Sequence, residues 1–141
     1  MGGARRMRHL VLSAESLSEE RLSRLSPEEF DALPFGAIKL DAQGQVLAYN
    51  AAESAFSRRT APSVLGRRFF EDIAPCTNVA DFRGRFDALV ERGRGTESFD
   101  FQFRFRWGTR HVRIRLMLLG DGSRWVFVTS LLAPMFLPME G

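Results

Sequence analysis

The sequence predicts one α+β domain: a central antiparallel β-sheet with helices on one face and an N-terminal helical cap. Three observations carry this. From Phe99 to Trp107 apolar residues alternate strictly with polar ones, they alternate again from Val112 to Leu118, and the apolar run Trp125–Leu132 follows, three runs separated by glycine turns and read as antiparallel strands. Phe82, Phe86, Leu89 and Val90 instead recur at helical spacing. At Pro34 a polar, leucine-striped segment gives way to short apolar runs around a turn.

The 141 residues suit a single domain, and 45% hydrophobic with 26% charged residues is the balance of a globular chain with a real core. Residues 1–34 read as the helical cap. Leu17, Leu22 and Leu25 give a weak stripe, and Ser26-Pro27-Glu28-Glu29 is a capping box with proline at the first helical position. Residues 35–132 form the main domain, and 133–141 a C-terminal tail. In the main domain, Ala37, Ile38 and Leu40 face Val46 and Leu47 across the Asp41–Gly44 turn, a β-hairpin. Asn50, with Glu53 three residues on, opens a helix of one or two turns from Ala51 to about Ser57.

Residues 58–77 look irregular, with a short helix near Ser63–Leu65 and Pro75 disfavouring helical geometry at Ala74. The longest helix follows, capped by Asn78 and stopped by Gly93. Phe99, Phe101, Phe103, Phe105 and Trp107 then place five aromatics on the core face of a strand. Val112, Ile114, Leu116 and Leu118 form the next strand, and Trp125–Leu132 the last.

Several functions are disfavoured. The longest uncharged stretch, Trp125–Met139, is too short and too broken by Pro134 and Pro138 to cross a bilayer, and Met1–Ala14 lacks a convincing leader pattern, so a cytoplasmic protein is expected. The net charge of +3 rests almost wholly on arginine, Lys39 being the one lysine among 20 basic residues. The 17 acidic residues are interspersed with them, which argues against a nucleic-acid-tracking patch. Cys76 cannot form an internal disulfide, and with only His9 and His111 it makes no usual zinc site. Those histidines also fit no motif for a thiol hydrolase.

One tyrosine stands among 13 phenylalanines, so Tyr49 supplies more than aromatic bulk. In a helical frame Tyr49, Glu53 and Ser57 share one side. Spacing alone favours a plainer reading in which Glu53 closes a capping box with Asn50 and Ser57 is a solvated turn residue. Composition alone likewise makes Cys76 an inert buried thiol.

Two strings go further. Phe35-Gly36-Ala37-Ile38-x-Leu40-Asp41-x-x-Gly44-x-x-Leu47-x-Tyr49-Asn50-Ala51-Ala52-Glu53 and Gly66-x-x-Phe69-Phe70-x-Asp72-x-Ala74-Pro75-Cys76-Thr77 resemble the photoactive yellow protein (xanthopsin) family of the PAS superfamily, over roughly residues 33–129. The resemblance implies a PAS fold and a blue-light photoreceptor, not an enzyme. It implies p-coumaric acid (4-hydroxycinnamic acid) bound covalently to Cys76 as a thioester, with Tyr49 and Glu53 donating to its phenolate. Ser57 stands for a threonine supporting the tyrosine, Arg59 lies over the pocket, Phe69 and Phe103 line it, and the Cys76 N–H holds the thioester carbonyl. The signal would be photoisomerisation, proton transfer from Glu53 and partial unfolding of the cap, read by an unidentified signalling protein. A monomer or weak dimer is expected, with no nucleic acid or membrane as partner. Trp107 departs from the family's methionine. The alternative is a chromophore-free PAS protein-interaction module.

Overall fold

The computed structural model describes residues 13–131; the start of the expected cap, His9 and the 133–141 tail lie outside the described residues. Five strands form one antiparallel sheet: β1 (Gly36–Leu40), β2 (Val46–Tyr49), β3 (Gly95–Phe105), β4 (Gly108–Leu118) and β5 (Arg124–Ser130). Their order is β2-β1-β5-β4-β3, so β5 returns to the centre of the sheet between the two hairpins.

The cap consists of a 3-10 turn at Ala14–Ser16, α1 (Glu19–Ser23) and α2 (Pro27–Asp31). The Ser26–Glu29 capping box forms in both directions, satisfying two backbone N–H groups that a helix start leaves without partners. The leucine stripe is stronger than its spacing implied. Leu17 and Leu22 are buried together with Ala14, Leu33 and Phe35 against Ala37, Met117, Trp125 and Phe127 on the outer face of the sheet.

The inner face is covered by α3 (Ala51–Ser57), α4 (Ala61–Val64), α5 (Arg85–Arg92) and irregular turns. Residues 58–77 hold α4, a π-helical turn at Phe69–Ile73 and a 3-10 turn at Pro75–Thr77. Ala74 sits between the last two at φ −135° and ψ 69°, the non-helical backbone that Pro75 demands.

Two sequence expectations need correction. The expected helix from Asn78 to Gly93 begins as a π-helical turn, Ala80–Gly84, with no side-chain cap; Asn78 instead accepts a hydrogen bond from the Arg83 guanidinium. Only its second half, α5, is α-helical, stopping where Gly93 takes a left-handed φ of 86°. The aromatic row on β3 shares one face, but only Phe99 and Phe103 are buried, while Phe101, Phe105 and Trp107 are half-buried. The reason is position: β3 is an edge strand, so one side of the row has no neighbouring strand to cover it.

Candidate functional site

The site begins at the junction of β2 and α3. Asn50 is fully buried and all of its side-chain polar capacity on this side is used. Its Oδ1 accepts from the Ala37 N–H at 2.9 Å and the Glu53 N–H at 3.0 Å. Its Nδ2 donates to the carbonyls of Phe35 at 3.0 Å and Phe30 at 3.2 Å. Asn50 therefore caps α3 and also ties it to β1 and to the end of α2. Asp31 adds a tie, its carboxylate accepting from the Ala51 N–H at 2.8 Å.

With α3 so anchored, the Tyr49 hydroxyl and Ser57 Oγ meet at 2.7 Å, both residues buried. Glu53 lies between them in sequence and is 3% exposed. Its Oε1 is buried without a hydrogen-bond partner among the described residues. Gly36 makes room for this carboxyl, since a Cβ there would fall 2.0 Å from Oε1. Burial pushes the Glu53 pKa up to about 8, because an ionised carboxyl in this surrounding forgoes hydration and gains no donor. Burial thus favours the neutral carboxyl of Glu53 at neutral pH. Burial also raises the Tyr49 pKa, helped by the nearby Glu53 and opposed by the Ser57 hydrogen bond and by Arg59.

The left-handed backbone of Arg58, φ 61°, ends α3 and sends Arg59 toward a cavity of about 450 Å³. Ser57, Arg59, Cys76, Phe103 and Trp107 are among its walls. Cys76 is half-buried on the Pro75–Thr77 turn. That turn is closed by Thr77 N–H and Oγ1 to the Ala74 carbonyl and by Asn78 N–H to the Pro75 carbonyl, which leaves the Cys76 N–H outside its ladder.

The structure thus brings Ser57, Arg59, Cys76 and Phe103 around one cavity. Tyr49 and Glu53 stand behind its Ser57 wall and do not themselves line it. Phe69 sits deeper, in edge-to-face contact with Phe70 and packed beside Phe82. A larger hollow of about 710 Å³ borders the other side of Cys76, with Asp81, Arg85, Asp100 and His111 on its rim. The Tyr49–Ser57 pair does not reach it, so it is the smaller cavity that joins the thiol to the buried donors. Sequence reasoning did not single out Arg58 or the packing of Trp107. Trp107 stacks on Phe105 at 4.7 Å and lies under the Arg58 guanidinium at 3.9 Å. The only signal was a tryptophan ending a phenylalanine row.

The donor set fits a phenolic thioester. A buried neutral carboxyl with an unpartnered oxygen and a tyrosine hydroxyl suit a buried anionic oxygen, and a thiol at the cavity wall offers a covalent tether. Among the described residues no His, Cys, Asp and Glu cluster could hold a metal, and no helix is long and apolar enough to cross a membrane.

A family model described as the PAS fold matches residues 30–130. The chain is 41% identical over 114 residues to photoactive yellow protein of Halochromatium salexigens, covering 80% of this chain and 91% of that protein. It is 38% identical to that of Rhodothalassium salexigens, covering 78% and 89%. The crystal structure of the photoactive yellow protein domain from the sensor histidine kinase Ppr of Rhodospirillum centenum superposes with a TM-score of 0.73. It has 41% identity and covers 77% of this chain and 96% of that domain. With the sheet order, the buried Tyr49–Glu53–Ser57 group and the Cys76 cavity, these likenesses show that the chain belongs to the photoactive yellow protein family, on the PAS fold.

Proposed function

We propose that this chain is a blue-light photoreceptor in which Cys76 holds p-coumaric acid as a thioester, and that it is a signalling protein and not an enzyme. The observation that carries the reading is the buried Glu53 carboxyl, whose Oε1 has no partner among the described residues although the Tyr49–Ser57 pair lies beside it. The bound group supplies blue absorption and a double bond that isomerises in light.

The protein's own residues supply the rest. Tyr49 and protonated Glu53 donate hydrogen bonds into the site, Ser57 fixes the Tyr49 hydroxyl, and Arg59 shields the mouth. Phe103 forms an apolar wall, and Phe69 supports the site from the core behind it. The free Cys76 N–H suits a carbonyl acceptor. On illumination Glu53 would pass its carboxyl proton to the phenolate oxygen that it serves as donor. A carboxylate buried without a partner then costs several kcal/mol, comparable with a domain's whole stability of about 5–15 kcal/mol.

That strain reaches the cap through Asn50, which binds the Glu53 N–H on one side and the Phe30 carbonyl on the other. Release of residues 13–34 is the output, read by a signalling protein in the cytoplasm from a monomer or weak dimer. The kinase-linked domain of Rhodospirillum centenum supports a signalling partner.

The test is an absorbance spectrum after adding activated p-coumaric acid, with mass spectrometry locating the adduct. A blue-absorbing product at Cys76 that Cys76→Ala abolishes is expected. A colourless product would sink the reading and leave a chromophore-free interaction module. Equal hydrogen exchange in residues 13–34 in darkness and light would overturn the output step.

A further inference from the structure

The cavity that holds Cys76 has a basic mouth that light sensing does not explain. Arg58, Arg59, Arg104 and Arg106 line it, and Arg110 joins them through Trp107, whose ring lies 4.8 Å from the Arg110 guanidinium and 3.9 Å from that of Arg58. No acidic residue lines this cavity. Among the described residues the ion pairs engage Arg24, Arg83, Arg85, Arg94 and Arg113, and none of the five arginines at the mouth. Four arginines lining a cavity with no carboxylate in its wall, and a fifth beside it on Trp107, give the mouth a positive potential that favours an anionic ligand. Their planar forks match phosphate oxygens two at a time. Stacking on Trp107 holds two of them in place, which reduces the side-chain freedom lost on binding.

The chemistry of Cys76 says which anion would come here, an argument that rests on the thioester reading above. A free carboxylic acid and a thiol do not condense to a thioester in water, because hydrolysis is the downhill direction. The acyl group must therefore arrive already activated, on a leaving group that the thiol displaces. Activated acyl groups are carried as acyl phosphates, acyl adenylates or thioesters of phosphopantetheine nucleotides, and all of these carry phosphate.

We propose that Arg58, Arg106 and Arg110 form a phosphate-binding rim that captures the leaving group of the activated acyl donor and sets its carbonyl at Cys76. Cys76 loses its proton to solvent, its sulfur bonds to the acyl carbon, and the bond from that carbon to the leaving group breaks. The departing thiolate or phosphate takes the electron pair, and a departing thiolate regains a proton from solvent. The phosphate-bearing product then leaves, so the rim acts once, at maturation, and contributes nothing to the light response.

The test compares three donors of the same acyl group on the chromophore-free chain: p-coumaroyl-coenzyme A, p-coumaroyl adenylate and the uncharged p-coumaroyl-N-acetylcysteamine. The readout is the rate of adduct formation at Cys76. At least one phosphate-bearing donor should load about tenfold faster than the uncharged one at low ionic strength, and the donor that does so names the source. Raising salt to about 0.5 M should erase the advantage.

The triple variant Arg58→Gln, Arg106→Gln, Arg110→Gln should bring the ratio of charged to uncharged rates toward one. The lysine triple should keep most of it. Because the uncharged donor is measured on each variant, a folding defect would slow both donors and leave the ratio alone. An unchanged ratio in the glutamine triple, or no phosphate advantage in the parent chain, overturns the rim. No adduct from any donor overturns the photoreceptor reading as well.

Discussion

On the inner face of the sheet, Phe82 meets Phe99, Phe101 and Phe103 at 5.1–6.4 Å, and the same layer holds the buried Glu53 and the Cys76 cavity. On the outer face, Leu17, Leu22 and Phe35 cover Met117, Trp125 and Phe127 with no buried charge among them. The inner layer joins α3, through Phe56, and the π-helical turn before α5, through Phe82, to β3 by long-range aromatic packing. The outer layer is two short helices whose polar ties lie at its margins. Glu19 accepts from Arg94 at 3.0 Å and from the Gly120 N–H at 3.0 Å, and Asp31 from the Ala51 N–H. One face can store an electrostatic change, and the other can respond by loosening locally.

The contrast is sharpest in core truncations. Phe82→Ala should lower global stability by about 3–5 kcal/mol, measured by urea unfolding, because a 0%-exposed ring has no water to replace it. Leu22→Ala should cost about 2–3 kcal/mol, with hydrogen exchange rising in residues 13–34 before β3 and β4. Uniform exchange over both faces in the Leu22 variant would break the distinction.

Next in size is the pH dependence of the chromophore-free chain. Glu53 titrates near 4.5 when unfolded and at about 8 when folded, so between these values the native state keeps a proton that the unfolded state has released. Its contribution is full below pH 4.5 and is lost as pH rises to about 8, at up to about 1.4 kcal/mol per pH unit. Glu53→Gln should flatten that interval, and a parallel decline in the variant would remove Glu53 as its cause. Ser57→Ala should cost about 1–2 kcal/mol by leaving the Tyr49 hydroxyl without its partner. Asp31→Ala, the smallest change, should cost about 1 kcal/mol and appear as faster exchange at α2 and at the start of α3, with β3 and β4 unaffected.

Period and punctuation made the strands legible: β1 and β2 around Asp41–Gly44, and the long β3–β4 hairpin around Gly108. Asn50 as a cap and the Ser26 box were equally visible, because capping is local. The π-helical turn at Ala80–Gly84 was not. The spacing of Phe82 and Phe86 suits either helical geometry, and Asn78 was drawn away by Arg83.

The sequence by itself determined the hairpins, the helix ends and, through two motif strings, which residues to examine. Those are features of neighbouring residues. Only the tertiary structure decided that Asn50 binds Phe30 and Phe35, that Gly36 makes room for Glu53, and that four arginines from two separate segments line one cavity with Cys76, with Arg110 beside it on Trp107. The physical reason is distance along the chain. Burial, a raised pKa and a charged rim are set by what other segments bring near, and period or spacing within one segment carries no record of that.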